Sequence, residues 1–280
     1  MRAFRAFLGV VTLSLLAAFP GPLAAQIDLT VDHKGLAIGD VPRVIGVRLN
    51  YRDRRLERVD GINATIWSPY EHGSRGLVRG VALGVPVTGA DRIDGVGIGI
   101  LGVGAQDRFR GIGIGAAGIG SGGDLEGLMI GGLGVGSGHD ITGIGVGGLG
   151  IGSSGTLRGA FVGGFGAGSG ADIEGIVVGG LGAGASGDMT GIVVGGLGAG
   201  ARNVRGALVS AGWTRLEHGT LNGFSMGAFN QLKGVQRGLA IGIVNYAEEL
   251  HGVQVGLINI ARNNSSATRI LPIVNVNLHD

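Results

Sequence analysis

Between Gly80 and Gly252 the chain repeats one hydrophobic phrase twelve times: glycine, an apolar residue, any residue, a second apolar residue. The openings are Gly80, Gly95, Gly111, Gly127, Gly143, Gly159, Gly175, Gly191, Gly206, Gly223, Gly238 and Gly252. They lie 16 residues apart six times in succession and 14 to 17 apart elsewhere. A fixed period of this length marks a repeat architecture. In the unit Asp188–Gly200 the apolar positions are Met189, Ile192, Val194, Leu197 and Ala199. Steps of two within a pair are β-strand alternation. Steps of three between pairs predict a corner at which the phase resets, with glycine supplying backbone angles closed to other residues.

Each unit therefore reads as short strands joined by tight bends, and the chain as all-β. Two topologies fit. One is a parallel β-solenoid of about 12 coils with a period of 15–16 residues, the coils stacked at about 4.8 Å. The other is an antiparallel meander, in which Gly147-Gly148 and its equivalents are hairpin turns. A closed outer-membrane β-barrel is a third arrangement. It needs about ten alternating residues per strand and aromatic girdles, whereas alternation here breaks after two apolar positions.

The residue before each opening glycine favours coils. From 110 to 205 this column reads Arg110, Glu126, Thr142, Arg158, Glu174, Thr190, Arg205. No two neighbours in it share a sign. Like charges side by side on adjacent strands are destabilising and opposite charges mildly favourable, so the series suits units stacked directly in register.

If the apolar pair of each phrase faces inward, its middle residue points out. That column contains Met129, Phe161, Val177, Val193 and Leu208, and an outward apolar stripe of this kind marks a contact surface. These five residues are the predicted interaction face, for self-association or for a cell-envelope or membrane partner.

The period divides the chain. Residues 1–25 form a basic and then apolar leader, with Arg2 and Arg5 ahead of Ala6–Phe19 and a break at Pro20-Gly21-Pro22. This is the layout of a secretory signal peptide and predicts export to the periplasm, cell surface or extracellular space. Residues 26–79 read as an N-terminal cap with degenerate repeats at Gly35, Gly46 and Gly61. Residues 80–205 are the regular glycine-rich region, and 206–280 are divergent repeats and a second cap. Solenoid ends need covering, because open strand edges invite further pairing.

Composition narrows the chemistry. There is no cysteine, so stability must come from stacking rather than from disulfides. Glycine makes up 63 of 280 residues, but the longer period and the lack of proline between Val87 and Leu271 exclude collagen. Arg2 and Arg5 account for the formal charge of +2, and no basic cluster runs along one face. Nucleic acid is therefore not an expected partner. The Gly-x-Gly phrases lack the strand–loop–helix context and the Gly-Lys-Ser/Thr of a phosphate loop.

Asp124, Asp140, Asp172 and Asp188 recur at one unit position and are weak calcium candidates, since calcium-binding β-rolls also repeat aspartate, though on a nine-residue period. Aspartate at a turn more simply accepts backbone N–H bonds. The six histidines show no metal-ligand spacing. Ser210 and Ser225 have no assignable His/Asp partners, and Glu248-Glu249 sits in the one segment, Tyr246–His251, that suits a helical turn. No catalytic group, cofactor or metal site is assigned, and the chain reads as a non-enzymatic exported protein. The alternatives are an outer-membrane barrel and a secreted calcium-binding roll.

The C-terminal stretch resembles a known kind of sequence. Gly234-Val235-Gln236-Arg237-Gly238-Leu239 and Gly252-Val253-Gln254-Val255-Gly256-Leu257-Ile258-Asn259 are similar to the Gly-Val-Gln-x-Gly-Leu-x-Asn surface repeat of exported bacterial proteins. The resemblance covers about 45 residues. It implies a cell-surface protein and carries no active site with it.

Overall fold

A computed structural model describes residues 26–67 and 76–278. The apolar leader lies outside the described residues, as do Pro69, Tyr70, His72 and His279. All regular structure among the described residues is β: 23 strands and no helix.

The repeat is a parallel β-solenoid. In one coil a long strand, Ile141–Gly147, is followed by a short one, Gly150–Ser153. Long strands pair only with long strands one coil away, so Gly143 is aligned with Gly127 on one side and Gly159 on the other. Short strands do the same, with Ile151 aligned with Val135 and Ala167. The parallel register rules out the antiparallel meander, and a membrane barrel, whose strands run antiparallel. The glycine ladder also extends upstream through Gly61, Gly46 and Gly35. Toward both ends the two walls merge into long strands such as Val87–Gly99 and Trp213–Met226.

Both ends are closed by antiparallel strands. Ile27–Val31 runs against Lys34–Ile38 at the start, and Ile270–Asn277 against Val244–Ala261 at the finish. Tyr246–His251 lies within that last long strand and forms no helical turn.

The inside and outside of the coil differ from the sequence expectation. The phase does not reset at the opening glycine. Met189 and Val193 both face inward, with Gly191 between them at φ 124°. The proposed outward column is therefore core: Met129, Phe161, Val177, Val193 and Leu208 are all at most 1% exposed. Leu125, Ile141, Leu157, Ile173 and Met189 form a second inward column, and Val135, Ile151, Ala167, Ala183 and Ala199 a third.

The physical reason is the narrowness of the coil. A Cβ on Gly191 would lie 2.0 Å from the carbonyl oxygen of Gly175 in the coil below. A Cβ on Gly195 would lie 1.9 Å from the Gly198 oxygen of its own coil. Inward places on either side of Val193 can therefore hold only glycine, and the apolar residues beside those glycines face solvent.

Bulk within the core is shared between coils. Gly97 leaves room for Phe109, whose Cε2 stands 2.6 Å from where a Cβ would be. Gly113 does the same for Met129, and Gly145 for Phe161.

Polar ladders replace this apolar filling near the ends. At the N-terminal end the wholly buried Arg48 takes the place of a core side chain. It donates to Asp40 (2.8 Å), Asn63 (2.9 Å), the Val41 carbonyl and Asp53. Asp53 also accepts from Asn50 and Thr65, so the charges are paired and hydrogen-bonded, as burial requires. At the C-terminal end Asn230 Nδ2 donates to Asn245 Oδ1 (2.6 Å) and Asn245 Nδ2 to Asn259 Oδ1 (2.7 Å). Ser225 donates to Asn230 in the same interior.

Candidate interaction surface

The long strands present their apolar pairs to solvent. One outward column runs Ile112, Leu128, Ile144, Ala160, Ile176, Ile192 and the next Ile114, Ile130, Val146, Val162, Val178, Val194; Leu128, Val178 and Val194 are half-buried and the rest exposed. Ile144 is 54% exposed, Ile176 49% and Ile192 44%. A third column stands at the following corner, with Leu133, Leu149, Phe165, Leu181 and Leu197 all exposed. The outward pairs continue in the same register from Val81 and Leu83 to Val253 and Val255, twelve coils in all, so with the corner column the apolar face is about 53 Å long and about 15 Å wide at β-sheet spacings, roughly 800 Å². Monomeric proteins rarely expose contiguous apolar patches of more than about 300–600 Å².

A charged row borders this face on the N-terminal side of each long strand. Arg110, Glu126, Thr142, Arg158, Glu174, Thr190 and Arg205 are successive register partners, in keeping with their alternating signs. Arg158 Nε donates to Glu174 Oε2 at 2.7 Å, and Arg110 Nε lies 2.9 Å from Glu126 Oε2. The hydrogen bond from Arg158, with its charge, holds the Glu174 carboxyl below the usual carboxylate range. The same pairing raises the Arg158 guanidinium. Both side chains are solvated, so each pair adds little to stability.

The short strands form the opposite wall, and outward it is nearly all glycine. A Cβ added to Gly104, Gly120, Gly136 or Gly152 would meet open space, with nothing within 4 Å. This floor stops at Trp213 and Arg215, which wall a shallow hollow above Gly182, Gly198 and Gly200. Trp213 packs edge-on against Phe229 in the next coil, ring centroids 5.4 Å apart.

The aspartate column bonds backbone. Asp140 Oδ1 accepts from the Thr156 N–H at 2.7 Å, and Asp172 Oδ1 from the Asp188 N–H at 2.7 Å. Asp124 accepts more weakly from the Asp140 N–H, at 3.3 Å. Asp188 accepts from Asn203, whose own oxygen accepts from the Thr220 N–H. Each carboxylate thus ties one corner to the next, and among the described residues no three His, Asp or Glu converge as metal ligands.

The two Gly-Val-Gln phrases occupy different places in the coil. Gln236 is aligned with Leu221 and Leu250, Gln254 with Ala240. Both side chains point inward, and Gln254 Nε2 donates to Gln236 Oε1 at 3.0 Å. The motif residues Gln254 and Asn259 therefore serve the interior.

Comparisons with protein families, with curated proteins and with solved structures return no match.

Hydrophobic patterning assigns the outward pairs to the core and so misses this face. One signal in the sequence points the other way: the middle column varies from Gly97 and Gly113 to Met129, Gly145 and Phe161. Size that alternates along a ladder indicates residues filling one another's space, since close-packed interiors tolerate neither voids nor overlap.

Proposed function

We propose that this chain is a non-enzymatic, exported repeat protein with a structural or adhesive role, working through the apolar long-strand face of its solenoid. The observation that carries this reading is the face itself: three in-register apolar columns exposed along a rod made stiff by continuous hydrogen bonding. An apolar surface of this extent, flat and flanked by charge, suits contact with another macromolecular surface. The leader sequence and the resemblance to exported surface repeats support a place in the periplasm, at the cell surface or outside the cell.

The test compares the wild type with a variant carrying Ile176→Glu and Ile192→Glu. Self-association is followed by light scattering and co-sedimentation with isolated cell envelopes by gel. Loss of both associations with an unchanged β-type circular dichroism spectrum is expected. Association of the variant equal to that of the wild type contradicts the proposal.

A further inference from the structure

We infer that the long-strand face pairs with the same face of a second copy of this chain, the two rods running antiparallel about a two-fold axis between the coils of Arg158 and Glu174. This rests on the reading of that face as the working surface and names its partner.

The area fits first. Two faces of roughly 800 Å² bury about 1,600 Å² in total, the size of a standard stable interface. A second copy also supplies a flat apolar sheet of the same length and the same spacing between coils, so ridges of one face can seat between ridges of the other at the usual separation of about 10 Å.

The charged row decides the orientation. Consider a two-fold axis lying in the interface and perpendicular to the rods. It keeps the charged rows on the same edge and reverses their order. The twelve units run from Gly80 to Gly252, and their midpoint falls between Gly159 and Gly175. An axis there overlaps every unit. It sets Arg158 against Glu174 of the second copy, Thr142 against Thr190, Glu126 against Arg205, Arg110 against Asn222 and Asp94 against Arg237. Three of these five rungs pair opposite charges and none pairs like charges. The outermost rung, Arg79 with His251, gains nothing. Thus the axis that buries the most apolar area is also one on which the charge series complements itself, as a closed isologous dimer requires.

The parallel alternative lacks this match. A two-fold along the rod lays each charged row over the apolar corner column of the other copy, where Leu149, Phe165 and Leu181 offer no partner to a buried charge.

Two experiments on the purified protein test the pairing. Glu126 and Arg205 are five coils apart in one chain, about 24 Å at strand spacing, and meet only across the interface. Glu126→Arg alone and Arg205→Glu alone should each raise the dimer Kd about fivefold or more in sedimentation equilibrium, and the double variant should restore it. Glu126→Arg also removes the ion pair with Arg110 within the chain, which the double variant does not restore, so recovery of the dimer is an effect in trans. In the second experiment Thr142→Cys and Thr190→Cys are made singly, in a chain without other cysteine. The paired sheets lie too far apart for a direct disulfide, so a short bis-maleimide is added, and a mixture of the two should give the crossed covalent dimer. Thr142→Cys alone should give none, its two copies lying three coils apart, about 14 Å.

A monomer at high micromolar concentration overturns the pairing and leaves the face to a different partner. A dimer untouched by Ile176→Glu overturns both the pairing and the proposed role of the face. A dimer in which Thr142→Cys links to itself, or in which the double charge variant fails to recover, overturns the antiparallel arrangement.

Discussion

Gly145 lies directly beneath Phe161 of the next coil: a Cβ at Gly145 would stand 2.8 Å from Phe161 Cδ1. The glycine is small because the phenylalanine is large, and the two share the space of neighbouring layers in a core only one side chain deep. Phe161→Ala should lower stability by about 3–5 kcal/mol, the usual cost of emptying an aromatic core site. Gly145→Leu should cost about 1–3 kcal/mol by overpacking. Combined, Gly145→Leu and Phe161→Ala should cost less than the sum of the two. Denaturant midpoints of the three variants and the wild type check this coupling.

Neighbouring positions on one strand should respond in opposite ways. Val193→Asp places a charge in the closed interior and should prevent folding or cost more than about 4 kcal/mol. Ile192→Asp, one residue earlier, replaces a half-exposed side chain and should change the stability of the monomer by no more than about 0.5 kcal/mol. Val194→Asp, at a half-buried outward site, should fall between the two and nearer to Ile192→Asp. Thermal unfolding at high dilution gives the comparison.

Glycine should be essential in one row and dispensable in another. Gly191 has a positive φ and no room for a Cβ, so Gly191→Ala should cost about 3 kcal/mol or more. Gly152 lies in an ordinary strand conformation with open space around it. Gly152→Ala should be neutral or stabilise by about 0.4–1 kcal/mol, by reducing the freedom of the unfolded chain. Unfolding curves of the two variants decide the point.

Acid should act on the charged row in a defined direction. Arg158 depresses the Glu174 carboxyl below its ordinary value of 4.5, so the pair contributes fully above about pH 4.5. Its contribution is lost as the pH falls through the lowered folded-state value. In Arg158→Gln the titration midpoint of Glu174, read from its carboxyl carbon resonance, should rise toward 4.5. An unchanged midpoint would show that the two side chains do not pair in solution.

How much of this is legible in the sequence depends on the level of structure. The spacing of Gly127, Gly143, Gly159 and Gly175 gives the coil length, and the signs of Arg158, Glu174 and their neighbours give parallel stacking in register. Both follow from strand-to-strand neighbours, which sequence records directly. The assignment of inside and outside is not legible from hydrophobicity. Ile192 and Val194 are as apolar as Val193, and the coil is so thin that glycines 191 and 195 line its interior in place of larger side chains. Hydrophobic patterning assumes that apolar residues seek the core; on this chain the larger share of each phrase faces out. The polar ladders are hidden for the converse reason. Asn230, Asn245 and Asn259 are polar, yet inside the coil Asn230 donates to Asn245, Asn245 to Asn259, and Asn259 to the Gly256 and Leu271 carbonyls.

The most direct measurement is thiol accessibility at three consecutive positions. The natural chain has no cysteine, so Ile192→Cys, Val193→Cys and Val194→Cys each carry a single reporter. Labelled at high dilution, position 192 should react at close to the rate of an unfolded thiol, the half-buried 194 more slowly but without denaturation, and 193 only after denaturation. Protection at 192 and 194 with rapid reaction at 193 would contradict an outward apolar face.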